Sequence, residues 1–208
     1  MIPRAPDFDR LLADGHVQDA SYLRAGCVAT ARVVRADRLR LPTGRLVAAE
    51  PLMNGCPFTQ TVAPGDYPVE IIMADFHGGT SFTEVAAARV LIRAEPAHVW
   101  RLALCASQDL ADLAEGQLFG YPVDGGTGSF GSPEVFDALA DDEEAQDDLI
   151  ADASFGRDEP FVTYTDEATG TNLVMFASGG GDGIYPTWIG YTVDGEVACF
   201  LTDFGVLT

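Results

Sequence analysis

The sequence predicts an α+β fold dominated by a largely antiparallel β-sheet, as a sandwich or a partly closed barrel with a few short helices. Three observations carry this. Short runs of β-forming residues recur from residue 27 onward, and glycine- or proline-bearing turns separate them. Asp194-Gly195 also sits between two β-rich runs, the strongest hairpin signal in the chain.

Residues 6–14 can form one short helix, stopped by Gly15, so residues 1–26 are expected to be an N-terminal helical extension. Residues 27–208 then form the β-rich body of one domain. Val28–Val34 and Arg38–Leu41 are strand candidates, and Pro42-Thr43-Gly44 is a tight turn. Leu46–Ala48 is a strand closed by Glu50-Pro51, because a residue before proline is pushed to extended geometry. Ala63-Pro64-Gly65-Asp66 is a second turn. Tyr67, Val69, Ile71 and Met73 alternate after it, with Ile72 on the other face. Gly78-Gly79 breaks the chain; Val85–Ile92 then fits a strand, with a helix open because of its alanines, and residues 96–114 fit either. Gln117–Val123 is extended and runs into a glycine-rich loop, Asp124–Phe130. Ser132-Pro133-Glu134 starts a helix, with a hydroxyl cap, proline in the first turn and an acid at the positive end of the dipole. Leu173–Phe176 is a strand, Ser178–Gly183 a loop, and Ile184–Val193 a strand. The last strand starts at Val197. A type I′ turn at Asp194-Gly195 would set Val193 opposite Glu196 and Tyr191 opposite Ala198, with Ile189, Tyr191 and Val193 on one face.

The charge narrows the function. All twelve basic residues are Arg, and the net charge is −20. Residues 1–101 hold 11 acids and 11 Arg, whereas residues 102–208 hold 21 acids and only Arg157. Such a chain repels nucleic acid and anionic membranes and attracts a basic protein or a cation. With no Lys there is no Walker A lysine, no pyridoxal-phosphate Schiff base and no Ser-Lys dyad. No apolar run approaches the ~18 residues of a membrane span, and the N-terminus resembles no secretory signal. Cysteines at 27, 56, 105 and 199 show neither metal spacing nor a disulfide framework, which points to reduced, mostly buried thiols in the cytoplasm.

Gly126-x-Gly128-x-x-Gly131 matches a dinucleotide fingerprint, but no βαβ alternation surrounds it, so turn glycines explain it better and no nucleotide is expected. The three His lack paired spacing, no G-x-S-x-G elbow occurs, and a lone Ser178–Gly183 loop cannot build a stacked Ca²⁺ site. Its four glycines in five positions point to backbone that approaches another segment closely. Trp188 and Tyr185 read as core.

Five segments occur in order: Leu41–Leu52, Pro64–Val69, Val123–Phe130, Ser178–Gly190 and Thr202–Phe204. Together they resemble the successive motifs of a bacterial family labelled domain of unknown function 4241. The resemblance covers the chain from about residue 38 and implies no established activity. It departs from the family pattern at Glu50, where Asp is usual, at Gly180, where an aromatic is common, and at Gly131-Ser132, where an Asp often stands.

Two functional readings follow. In the first, the acidic C-terminal half engages a basic protein as an inhibitor or immunity protein does, through Asp141, Asp142, Glu143, Glu144, Asp147 and Asp148. In the second, Asp124, Asp182 and Asp203 converge to hold Ca²⁺, Mg²⁺ or Mn²⁺ in a metal-assisted hydrolase. Gly126, Thr127, Ser178 and Tyr185 complete that candidate ligand set. The loops 124–128 and 178–183 are also expected to lie side by side as one surface feature, because both follow strands and both combine glycine with a single Asp.

Overall fold

A computed structural model describes residues 3–20, 26–53, 55–78, 81–152, 155 and 159–207. Gly79 and Arg157 lie outside the described residues. The fold is α+β and mostly antiparallel β, and its largest sheet curls into a half-barrel. No helix among the described residues is long and apolar enough to cross a membrane.

The N-terminal segment contributes less helix than expected. Among its described residues only Phe8–Leu11 (α1) is helical, and Val17–Asp19 (β1) adds an edge strand beside Val28–Leu41 (β2). Phe8 packs its ring 4.7 Å from Trp100 and 6.0 Å from Trp188, so burial of one aromatic fixes this segment to the body. Trp188 is fully buried, as its core assignment expects.

Beyond β2 come Val47–Ala49 (β3), Gly65–His77 (β4), Phe82–Leu91 (β5) and Val99–Leu102 (β6). Tyr121–Val123 (β7), Thr127–Gly131 (β8), Phe161–Thr165 (β9) and Asn172–Ala177 (β10) follow. Gly183–Tyr185 (β11), Thr187–Tyr191 (β12) and Val197–Asp203 (β13) complete the strands. The half-barrel has the order β1-β2-β4-β5-β13-β12-β6, and a four-stranded sheet has the order β3-β8-β10-β9. β11 and β7 form a separate pair.

Several boundaries differ from expectation for identifiable reasons. The two candidate strands at 28–41 are one strand with a bulge between Arg35 and Arg38, whose partners on β4 are Glu70 and Pro68. Proline has no N–H to give the ladder, so an irregularity belongs there. Gly65-Asp66 continues that ladder instead of turning. Both faces of β4 are covered, so Ile71 and Ile72 are each fully buried. Residues 82–91 are a strand, and 96–114 resolve into β6 and one 3₁₀ turn at Leu110–Asp112. Pro186 splits the run 184–193: β11 pairs with β7, and β12 joins the half-barrel.

The hairpin exists, but not with the expected turn. Gly195 N donates to the Thr192 carbonyl at 3.0 Å, and Thr192 N to the Glu196 carbonyl at 2.8 Å. Gly195 has φ +81, while no non-glycine residue among those described has positive φ. Asp194 therefore cannot occupy a type I′ position. The loop is the three-residue kind, with glycine alone left-handed. Thr192 then faces Glu196, Tyr191 faces Val197, and Val193 is 79% exposed at the tip instead of sharing a core face.

Layering explains the burial. Along β10, Val174 and Phe176 join the main core against the half-barrel, whereas Leu173 and Met175 join a second core on the opposite face. That second core includes Val135, Phe136 and Leu139 of the helix Pro133–Ala140 (α2) and Leu149 of Glu143–Asp152 (α3). The four-stranded sheet is thus covered on both sides, which is why β10 reads as a continuous apolar run. Asn172 links the layers. Its side-chain oxygen accepts from Arg40 N at 2.8 Å, and its amide donates to the Arg38 carbonyl at 2.8 Å, beside the β2 bulge.

Candidate functional site

The two glycine-acid loops do lie together. β8 pairs with β10 so that Thr127 faces Ala177, and β7 pairs with β11 so that Val123 faces Gly183. The connections 124–126 and 178–182 are therefore neighbours, joined by Ser178 N donating to the Gly126 carbonyl at 3.0 Å. The first loop is shorter than expected, because Thr127 and Gly128 already belong to β8.

Internal bonds hold the second loop. Ser178 Oγ and Tyr185 Oη both donate to the Gly181 carbonyl, each at 2.7 Å. Gly179 has φ +59, and a Cβ there would lie 2.8 Å from Phe204 Cβ, Val206 Cγ2 and the Val85 carbonyl. That glycine supplies the anticipated close approach to another segment. Gly128 and Gly131 are packing glycines of a strand: a Cβ would meet the Tyr121 hydroxyl at 2.6 Å or the Phe136 ring at 2.7 Å. This corrects their assignment to a turn.

The three aspartates are not gathered. Asp124 and Asp182 are exposed on the loops, whereas Asp203 is 5% exposed and its Oδ1 accepts from Gly205 N at 2.9 Å. Among the described residues, no group of three or more His, Cys, Asp or Glu side chains is placed to hold a metal ion. The convergent carboxylate centre is thereby corrected: turn chemistry at the end of β13 draws Asp203 inward. Thr127 Oγ1 donates to the Gly125 carbonyl at 3.4 Å.

A residue from the first motif sits against these loops instead. Glu50 Oε2 accepts from Asp124 N at 2.7 Å, and its Oε1 lies 2.8 Å from where a Cβ on Gly125 would be. A cavity of about 220 Å³ lies beside this carboxylate. Apolar walls from Phe58, Phe119 and Tyr121 line it, together with Cys56 and Cys105. Sequence reasoning missed this site. In the sequence Glu50 marks only a strand end and a departure from a motif, and the two thiols, 49 positions apart, offer no spacing that could join them.

The acid-rich segment forms a surface of its own. Asp137, Asp141, Asp142, Glu143, Glu144 and Asp147 are all exposed on α2, α3 and the two-residue link between them. The side chain of Asp148 lies outside the described residues. Like charges disfavour one long helix here, and the chain breaks at Asp141-Asp142, where Asp142 Oδ1 accepts from Ala145 N at 3.0 Å to start α3. Gln146 Nε2 donates to the Leu139 carbonyl at 2.8 Å and Leu149 is buried, so the second helix is held against the first. The field extends to the β9–β10 turn. Burial, then the charges of Asp166 and Asp142, raise the Tyr164 phenol above its ordinary value.

The charge imbalance has a structural origin. In the half-barrel, arginines face acids across strands: Arg32 meets Asp75 at 3.1 Å and Arg89 meets Glu70 at 2.6 Å. On the α2–α3 surface none of the six carboxylates is ion-paired among the described residues.

A family model with the description "Protein of unknown function (DUF4241)" matches residues 39–202. No curated protein matches the chain, and no solved structure does.

Proposed function

The chain belongs to this family of unknown function, DUF4241, and from its own geometry we propose that it is a non-catalytic binding protein whose acidic α2–α3 face engages a basic protein. One observation carries the reading. Six exposed carboxylates share one two-helix surface, and no described cation neutralises them, although the half-barrel pairs its charges across strands. Unpaired like charge destabilises a fold by self-repulsion, so its retention on one face suits a complementary partner. Such a field accelerates encounter and rejects acidic competitors. Inhibition of a basic toxin or nuclease is the form of this function that best fits the chemistry.

The experiment is affinity capture from a lysate of the source organism at physiological salt, with wild-type protein and a variant carrying Asp141→Asn, Glu143→Gln, Glu144→Gln and Asp147→Asn. Wild-type protein should retain a basic protein that the variant releases, and association should slow steeply as salt rises. Capture of the same partner by both forms, with no salt dependence, would refute the reading.

A further inference from the structure

The thiols beside the cavity form a pair that the binding function does not use. Cys56 lies in an extended segment that pairs with residues 104–105: Phe58 and Cys105 form an antiparallel bridge, and Thr59 N donates to the Leu104 carbonyl at 2.8 Å. This brings the Cys105 thiol to 3.1 Å from the Cys56 carbonyl, to which it donates. Cys105 is held in a turn at both ends, since its N–H donates to Gln108 Oε1 at 2.9 Å and its carbonyl accepts from Gln108 N at 3.0 Å. The environments of the two sulfurs differ. Cys56 is exposed, whereas Cys105, Cys27 and Cys199 are buried. An external reagent in the folded protein therefore meets Cys56 first.

We propose that Cys56 is a site of reversible oxidation by peroxide and that Cys105 resolves it, leaving an intramolecular Cys56–Cys105 disulfide beside the cavity. In the first step the Cys56 thiolate sulfur attacks one peroxide oxygen. The O–O bond breaks, sulfur becomes the sulfenic acid, and the departing hydroxide takes up the thiol's proton as water. In the second step Cys105 gives up its proton and its sulfur attacks the Cys56 sulfur. The S–O bond breaks, and the hydroxyl leaves with that proton as water. Two thiols and one peroxide become one disulfide and two waters. Dithiol reductants reverse the change by thiol–disulfide exchange.

The surroundings set the order of events. Burial first, and then the hydrogen bond and charge of Cys56, push the Cys105 thiol up to about 12. When Cys56 becomes a neutral sulfenic acid, its charge no longer opposes ionisation of Cys105, but burial still does. Burial of Cys105 therefore holds back the closing thiol, and the sulfenic acid at Cys56 is the species to trap.

The test treats the full chain with hydrogen peroxide, then blocks free thiols and cleaves after arginine. Arg24, Arg32, Arg45, Arg89, Arg101 and Arg157 place the four cysteines in four separate peptides. Mass spectrometry should show the Cys56 and Cys105 peptides joined and lighter by two hydrogens, with the link lost on reduction by dithiothreitol. A Cys105→Ala variant should accumulate a dimedone adduct at Cys56. A Cys56→Ser variant, altered only at an exposed position, should leave the other three thiols unreacted and melt as wild type does. Irreversible oxidation of wild-type Cys56 without the link would overturn the proposal. Equal peroxide reactivity of Cys105 in the Cys56→Ser variant, or links formed only between two copies of the chain, would do the same.

Discussion

Asn172 offers the sharpest test of how the two main sheets are joined. It sits at the start of β10, yet its side chain completes the hydrogen bonding of β2, accepting from Arg40 N and donating to the Arg38 carbonyl, both at 2.8 Å. β1 pairs with β2 only at Val28–Thr30, so on that edge of β2 these groups have no neighbouring strand among the described residues to bond. Asn172→Ala removes both bonds at once. Each is worth about 1 kcal/mol net, and the groups left behind are only partly buried, so water recovers some of the loss. A total near 2 kcal/mol follows, or a fall in Tm of roughly 4–8 °C for a chain of this size. Urea unfolding followed by tryptophan fluorescence measures it, since Trp188 is fully buried. Asn172→Asp keeps the acceptor but sets a carboxylate against the Arg38 carbonyl. The folded protein then raises that carboxyl's pKa, because only the protonated acid can donate. Its penalty should be full above that raised folded pKa, fade as pH falls through it, and be gone below the unfolded pKa of ~3.9. A loss under ~0.5 kcal/mol for Asn172→Ala, or no pH dependence for Asn172→Asp, would show that the side chain does not join the sheets.

Three further outcomes are expected. Gly195→Val should cost well over ~1 kcal/mol in urea unfolding, although a Cβ there meets nothing within 4 Å, because a β-branched residue resists φ +81; a neutral result would contradict the turn geometry. Gly44→Ala should cost more, about 3 kcal/mol by the same assay, since φ +69 is joined by a Cβ only 1.9 Å from the Val62 carbonyl. In alkali, burial raises Cys199 to about 11 and Cys105 to about 12, and drives Tyr121 upward too. Their folded values exceed the unfolded ones, so the stability they contribute is whole below pH 9 and is lost as pH climbs towards 11–12. Cys199→Ser should flatten that decline between pH 9 and 11 in denaturant titrations.

What the residues declared on their own was local. Proline and glycine positions marked most turns, and the apolar run 173–176 marked a strand. The Ser132-Pro133-Glu134 start marked α2, although Ser132 makes no side-chain cap bond to it. Charge was equally legible: an arginine-balanced first half and an uncompensated acidic second half follow from counting residues. Adjacency of the loops 124–126 and 178–182 was also foreseen, but for another reason. The strands that precede them, β7 and β10, are not partners; β7 pairs with the strand after the second loop and β10 with the strand after the first.

Only the tertiary structure decided how distant segments meet. Pairing energy in a sheet comes from partners far apart in sequence, and a single bulge or proline moves the register by one residue. Tyr191 therefore faces Val197 instead of Ala198, and Pro186 sends two halves of one apparent strand to different sheets. The same non-locality scattered Asp124, Asp182 and Asp203, brought Glu50 to the Asp124 amide, and set Cys56 beside Cys105. A side chain's type and its neighbours along the chain fix its local conformation, but a site is made by segments that touch only after the sheets have closed.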